Sequence, residues 1–159
     1  MAEFRRMVMS KYLVSACLCG HVCRYDGKTK LNQSLMMRLD RDGIIPVCPE
    51  ELGGLPTPRA ACRLVGGDGA DVLAGRARVV DINRIDRTQA FLEGARLTLD
   101  MARSHQVQRC CLKAKSPSCG SGRLIQANKG IAVPNGYRAV LGVTAALLLT
   151  HGIEVEEIP

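Results

Sequence analysis

The residues best suited to chemistry in this chain are its 8 cysteines: Cys17, Cys19, Cys23, Cys48, Cys62, Cys110, Cys111 and Cys119. Thiolates favour soft metals, namely zinc, copper(I) and iron–sulfur clusters. The spacing is C-x-C-x3-C over Cys17, Cys19 and Cys23, followed by single cysteines. A zinc ribbon needs two close pairs, and a bacterial ferredoxin shows C-x2-C-x2-C. Neither pattern is present, so spacing points to a soft-metal site without choosing the metal. The competing use, a disulfide framework, needs an oxidising compartment. Arg5 and Arg6 open like an export signal, but Lys11 interrupts it and Tyr12-Leu13-Val14 is too short for the apolar core of one. No run approaches the roughly 18 apolar residues of a membrane span. The expected setting is the cytoplasm, with no membrane contact, where clustered cysteines more often serve metal binding or catalysis.

Not all eight thiols are equivalent. Cys48 precedes Pro49, a favoured first helical residue. A helix starting there puts Cys48 at its N-terminus, which lowers a thiol pKa. Cys119 lies near Lys113 and Lys115, which act in the same direction. Cys110 and Cys111 sit in an apolar run and read as small buried hydrophobes, as does Cys62.

These candidates need elements to position them. Tyr12 to Ala16 reads as a short buried strand running into the loop of Cys17, Gly20, Cys23 and Asp26-Gly27. Asn32 can cap a helix with Leu35, Met36 and Leu39 on one side, stopped by Gly43. Ile44 to Val47 is a second strand ending at Cys48-Pro49-Glu50. The stretch from Gly53 to Gly75 reads as loop with one short helix, and Ala77 to Val80 as an edge strand. A long helix, capped by Thr88 or Asp86, runs through Ser104 with Phe91, Ala95, Leu99 and Ala102 on one apolar face. Gln108 to Leu112 is a third core strand feeding the loop from Lys113 to Gly122. Pro134-Asn135-Gly136 marks a turn. Ala139 to Thr150 reads as a buried helix stopped by Gly152, and Ile153 to Ile158 as a closing strand.

Strands alternating with helices imply a single α/β domain over residues 1–159, three-layered and Rossmann-like, with an open, mostly parallel sheet. Ligands in such folds sit beyond the carboxyl ends of the strands. Three predicted strands each end in a cysteine-bearing loop, so Cys17, Cys48 and Cys119 are expected to meet at one edge of the sheet. The formal charge of +7 would suit an anionic partner, but the arginines are dispersed. Aromatic residues make up 3% of the chain and tryptophan is absent, so base-stacking platforms are scarce and nucleic acid is the lesser reading.

Four blocks form longer motifs: Val14-Ser15-Ala16-Cys17-Leu18 with Cys23-Arg24-Tyr25-Asp26-Gly27, Pro46-Val47-Cys48-Pro49-Glu50 with Leu52 to Arg59, Lys115-Ser116-Pro117-Ser118-Cys119-Gly120, and Gly142 to Leu148. Together they resemble the thiouracil desulfidase family of iron–sulfur proteins. The resemblance implies a [4Fe-4S] cluster held by Cys17, Cys48 and Cys119, with one iron left open as a Lewis acid for a thiocarbonyl sulfur. It further implies non-redox desulfuration of a small thiolated nucleobase such as 2-thiouracil, with sulfide released. Glu50 is then the general acid/base, against its plainer role as a first-turn carboxylate worth about 0.3–1 kcal/mol to a helix. Ser116 orients substrate or passes a proton, against its plainer role in a turn. Cys19 is an extra thiol that either ligates or packs, and a fourth thiolate from Cys23 would close the open iron. The alternative function is a metal- or cluster-binding sensing module that contacts nucleic acid or another protein. A third reading is sulfur chemistry on thiolated tRNA bases. The sequence does not specify an oligomeric state.

Overall fold

The computed structural model describes residues 10–107, 109–120, 123–124, 138–139 and 141–159. The expected α/β domain is present. Strands β1 (Tyr12–Ser15), β2 (Ile44–Val47), β5 (Arg109–Lys113) and β8 (Glu154–Ile158) form one open parallel sheet in the order β2-β1-β5-β8. Strands β3 (Cys62–Val65) and β4 (Arg78–Asp81) pair antiparallel in a separate two-stranded sheet, as do β6 (Arg123–Leu124) and β7 (Arg138–Ala139). The helices are α1 (Gln33–Arg38), α2 (Pro49–Leu52), α3 (Gly69–Leu73), α4 (Thr88–Ser104) and α5 (Val143–Thr150).

The main sheet is apolar on both faces, as a covered parallel sheet must be. Successive side chains alternate between faces. Leu13, Cys110 and Leu112 therefore pack with Leu99 and Ala102 of α4 and Ala145 and Leu148 of α5. Val14 and Cys111 pack on the other side with Leu35 of α1. That gives three layers. The α4 face matches its periodicity: Phe91, Ala95, Leu99 and Ala102 are all buried. Asn32 caps α1 by accepting from Leu35 N at 2.9 Å. Among the described residues no helix is long and apolar enough to cross a membrane.

Three expectations change. The segment read as loop with one helix contains α3, and also β3. Its Cys62 and Leu64 pack with Val79 and Phe91, so the strand owes its existence to its partner β4 rather than to its own pattern. The expected edge strand, β4, pairs only with β3 among the named strands and does not extend the main sheet. The last helix begins at Val143, not Ala139, because Gly142 is its N-cap and Ala139 pairs in β7. The expected turn at Pro134-Asn135-Gly136 lies outside the described residues.

Two close approaches set the position of α2 and its cysteine. A methyl group built on Gly94 of α4 would collide with the Pro49 carbonyl, and one on Gly53 with the Ala90 carbonyl. Glycine at both points lets the backbones of α2 and α4 touch. Gly94→Ala should therefore behave against its helix propensity. A gain of about 0.8–1.0 kcal/mol is expected in a free helix, but overpacking costs about 1–3 kcal/mol. A lower urea midpoint for Gly94→Ala is expected; a higher one would show that the contact yields freely.

Candidate metal and active site at the strand ends

The three adjacent strands β2, β1 and β5 end side by side, and each hands the chain to a cysteine-bearing loop. After β1 the chain makes a single 3-10 turn, Ala16–Cys19, closed by left-handed Gly20 at φ 93°. Cys17 is buried in this turn. Its carbonyl accepts from Lys30 N (3.0 Å) and Thr29 Oγ1 (3.0 Å), which ties the following loop over it. The Arg24–Asp26 ion pair at 3.5 Å lies within that loop. After β2, Cys48 is the N-cap of α2, with Pro49 at the first helical position.

The third loop leaves β5 through Lys115, a non-glycine residue at φ 59°. Ser116 Oγ accepts from Ser118 N (3.2 Å) and Cys119 N (3.1 Å), folding Cys119 back toward the sheet. Helix α5 holds this loop. Its first N–H groups, which have no partner within the helix, donate to the loop carbonyls: Val143 N to Pro117 O (2.9 Å) and Thr144 N to Ser118 O (2.9 Å). Ser15 locks the loop to β1 by accepting from Lys113 N at 2.9 Å, and its hydroxyl hydrogen-bonds Cys119.

Cys17, Cys48 and Cys119 thereby line one cavity of about 890 Å³, together with Glu50, Ser116 and Ser118. Cys23 lines it as well, and the Cys48 thiol donates to the Cys23 carbonyl at 3.7 Å. A thiol beside other thiols favours negative charge on the neighbours it can donate to and is itself held protonated. Cys48 is accordingly lowered to about 7, by Cys23 first and then by the Glu51 N–H and the Arg59 guanidinium, against its burial. Cys17 is also lowered, again chiefly by Cys23. Cys23 is pushed far up by the bonds it donates. Burial pushes Cys119 up, with the Ser15 bond opposing. This donor set fits an iron–sulfur cluster, since thiols on separate loops face one cavity.

Glu50 sits between two donors. Arg59 Nε reaches its Oε2 at 2.6 Å, and Ser118 Oγ donates to Oε1 at 3.3 Å. Arg59 also donates to Cys23 O (2.9 Å), Pro56 O (3.1 Å) and Thr57 Oγ1 (3.0 Å), and its Nη2 lies 4.0 Å from Cys48 Sγ. Sequence reasoning named Ser116. The structure gives its Oγ two turn bonds and makes Ser118 the serine in contact with Glu50. It also missed the Arg59–Glu50 pair, although Arg59 stands in a motif that carried the resemblance. Cys19 does not line the cavity; it packs with the α1 side of the sheet, and burial pushes its thiol up to about 11. Cys110 and Cys111 are fully buried in β5.

A smaller cavity of about 490 Å³ lies against the same two sulfurs, Cys23 and Cys48, with His21, Glu51, Leu52 and Met101 in its lining. Glu50 faces the larger cavity and Glu51 the smaller.

Comparison with known proteins agrees with this architecture. The sequence model of the 2-thiouracil desulfurase family matches residues 12–157. The Bacillus subtilis (strain 168) protein YbbK, described as uncharacterized, is 39% identical over 143 residues, 90% of this chain and 92% of its own length. A solved structure titled [4Fe-4S]-dependent thiouracil desulfidase TudS superposes with a TM-score of 0.74 at 35% identity, covering 93% of this chain and 90% of that one.

Proposed function

This chain belongs to the 2-thiouracil desulfurase family, and on that premise we propose that it is a cytoplasmic [4Fe-4S]-dependent desulfidase acting on a small thiolated nucleobase such as 2-thiouracil. The observation that carries the reading is the meeting of Cys17, Cys48 and Cys119 with Glu50 in one cavity. Cys17, Cys48 and Cys119 would hold the cluster. When bound, it supplies a Lewis-acidic iron for the substrate sulfur.

The remaining work falls to the protein's own groups. The reaction exchanges C=S for C=O, consumes one water and releases hydrogen sulfide, with no net redox change. Water adding at the thiocarbonyl carbon must lose a proton, and the departing sulfur must gain one. On this reading Glu50 serves both transfers, as general base and then acid. Arg59 fixes one carboxylate oxygen and Ser118 the other. Ser116 uses its oxygen within the turn, leaving its own proton to donate toward a substrate in the cavity. Lys113, half-buried in the lining, adds positive charge beside the sulfurs.

The test is anaerobic reconstitution with iron and sulfide quantified, followed by a sulfide-release assay across thionucleobases. Cluster-loaded protein is expected to release sulfide and return the matching oxo base in equal amounts. A fully loaded protein that releases none from any thionucleobase would overturn the reading.

A further inference from the structure

The cluster reading leaves Cys23 and Glu51 without a task. Cys23 is buried, and its Sγ, the Cys48 Sγ and a Glu51 carboxylate oxygen all lie within 4.8 Å of one another. Both sulfurs face the smaller cavity, and Glu51 enters it from the residue next to Glu50. Glu50 is engaged by Arg59 and Ser118, whereas Glu51 is exposed and can turn. Two thiolates and one carboxylate, with a fourth position open, are a zinc-type donor set. Such a site has metal–sulfur bonds of about 2.3 Å and metal–oxygen bonds of about 2.0–2.2 Å. It therefore draws its ligand atoms to about 3.5–3.8 Å apart, which rotation of the Glu51 side chain and a small thiol shift would provide. The Cys23 and Cys48 sulfurs already lie within reach of one cation, which would replace their thiol protons on binding.

We propose that the cluster-free chain binds one divalent cation of the zinc class through Cys23, Cys48 and Glu51, with its fourth position open to the smaller cavity. Binding expels the thiol protons to solvent and changes no oxidation state. One consequence rests on the function proposed above: because Cys48 is needed by both, the cation and the cluster exclude one another.

The experiment uses the full chain, cluster-free and reduced, under anaerobic conditions. Cobalt(II) serves as the optical probe and zinc as its competitor. One equivalent of cobalt is expected to bind with sulfur-to-cobalt charge-transfer absorption and to be displaced by zinc. Glu51→Gln alters an exposed side chain and leaves the fold intact; it is expected to weaken binding at least about tenfold, the cost of losing even an outer-shell partner. Cys23→Ser is expected to weaken it further and to lessen the charge-transfer band, while Cys119→Ser keeps the parent affinity. Parent affinity in Cys23→Ser or Glu51→Gln overturns the site. So does a loss in Cys119→Ser equal to that in Cys23→Ser, since the ion would then occupy the cluster ligands. One equivalent of zinc added before reconstitution should lower the iron and sulfide taken up by the parent, and do so less in Glu51→Gln. The cobalt titration decides the cation site whether or not sulfide release is ever seen, so the two readings fail separately.

Discussion

Glu50→Gln is expected to leave iron and sulfide content at the parent level and to lower sulfide release about 10²–10⁴-fold, the usual worth of a positioned general acid–base. The amide keeps the shape of the carboxylate. Its oxygen can still accept from Arg59 or Ser118, so the cavity wall stays in place. What it loses is the capacity to take a proton from water. None of the three proposed cluster ligands is altered, so cluster content and turnover separate. Turnover close to the parent would remove Glu50 from the chemistry and reduce it to the ion pair. A loss of iron in proportion to activity would assign it to cluster retention instead. If the protein were a sensing module rather than an enzyme, the variant would be nearly silent in every assay except stability.

Arg59→Ala carries the largest expected structural effect. The side chains of Arg59 and Glu50 are only 7% and 13% exposed, so the pair is buried rather than a surface ornament. Removing one partner of a buried pair costs about 3–5 kcal/mol because the other charge is left uncompensated. Glu50 borders the cavity and water can reach it, so the lower end, about 3 kcal/mol, is expected. For a chain of this size that corresponds to a drop in melting temperature of roughly 6–12 °C. Arg59 also bonds the Cys23 carbonyl and lies beside Cys48, so its loss frees the loop of one thiol and the counter-charge of another. Activity should fall more steeply than stability accounts for when both are measured well below the melting temperature. Arg59→Lys should recover little, because one ammonium cannot reach the carboxylate, two carbonyls and a hydroxyl together. A melting temperature within a degree or so of the parent would show that the pair is worth no more than an exposed one, about 0–1 kcal/mol.

The legible part of the fold follows short-range periodicity. Ile44 to Val47 is an apolar run bounded by Gly43 and Cys48-Pro49, and it forms β2 over those four residues. The α4 stripe from Phe91 to Ala102 is equally local, since residues three and four apart share a helix face. β3 was not legible, because Cys62-Arg63-Leu64-Val65 is short and follows a stretch rich in glycine and proline. Its alternation acquires meaning only once β4 lies beside it. The start of α5 was misplaced for a related reason. Ala139 to Leu141 is as apolar as the helix, and the boundary is set by Gly142 resting against the Ser118–Cys119 backbone from a distant loop.

The same division holds at the site. Residue type and local order alone determined that cysteines would stand in loops just beyond three strands, and that Cys110 and Cys111 would be packing residues. Which sulfurs face one another depends on the strand order β2-β1-β5-β8, which brings Cys17, Cys48 and Cys119, 31 and 71 positions apart in the chain, to one edge. Only that tertiary arrangement brought Cys23 into the same lining as Cys17 and Cys48, put Ser118 on Glu50, and carried Arg59 across to join the carboxylate to the cysteine loops. Local sequence cannot encode these contacts: a hydrogen bond between side chains on separate loops exists only after the sheet has set the distance between them.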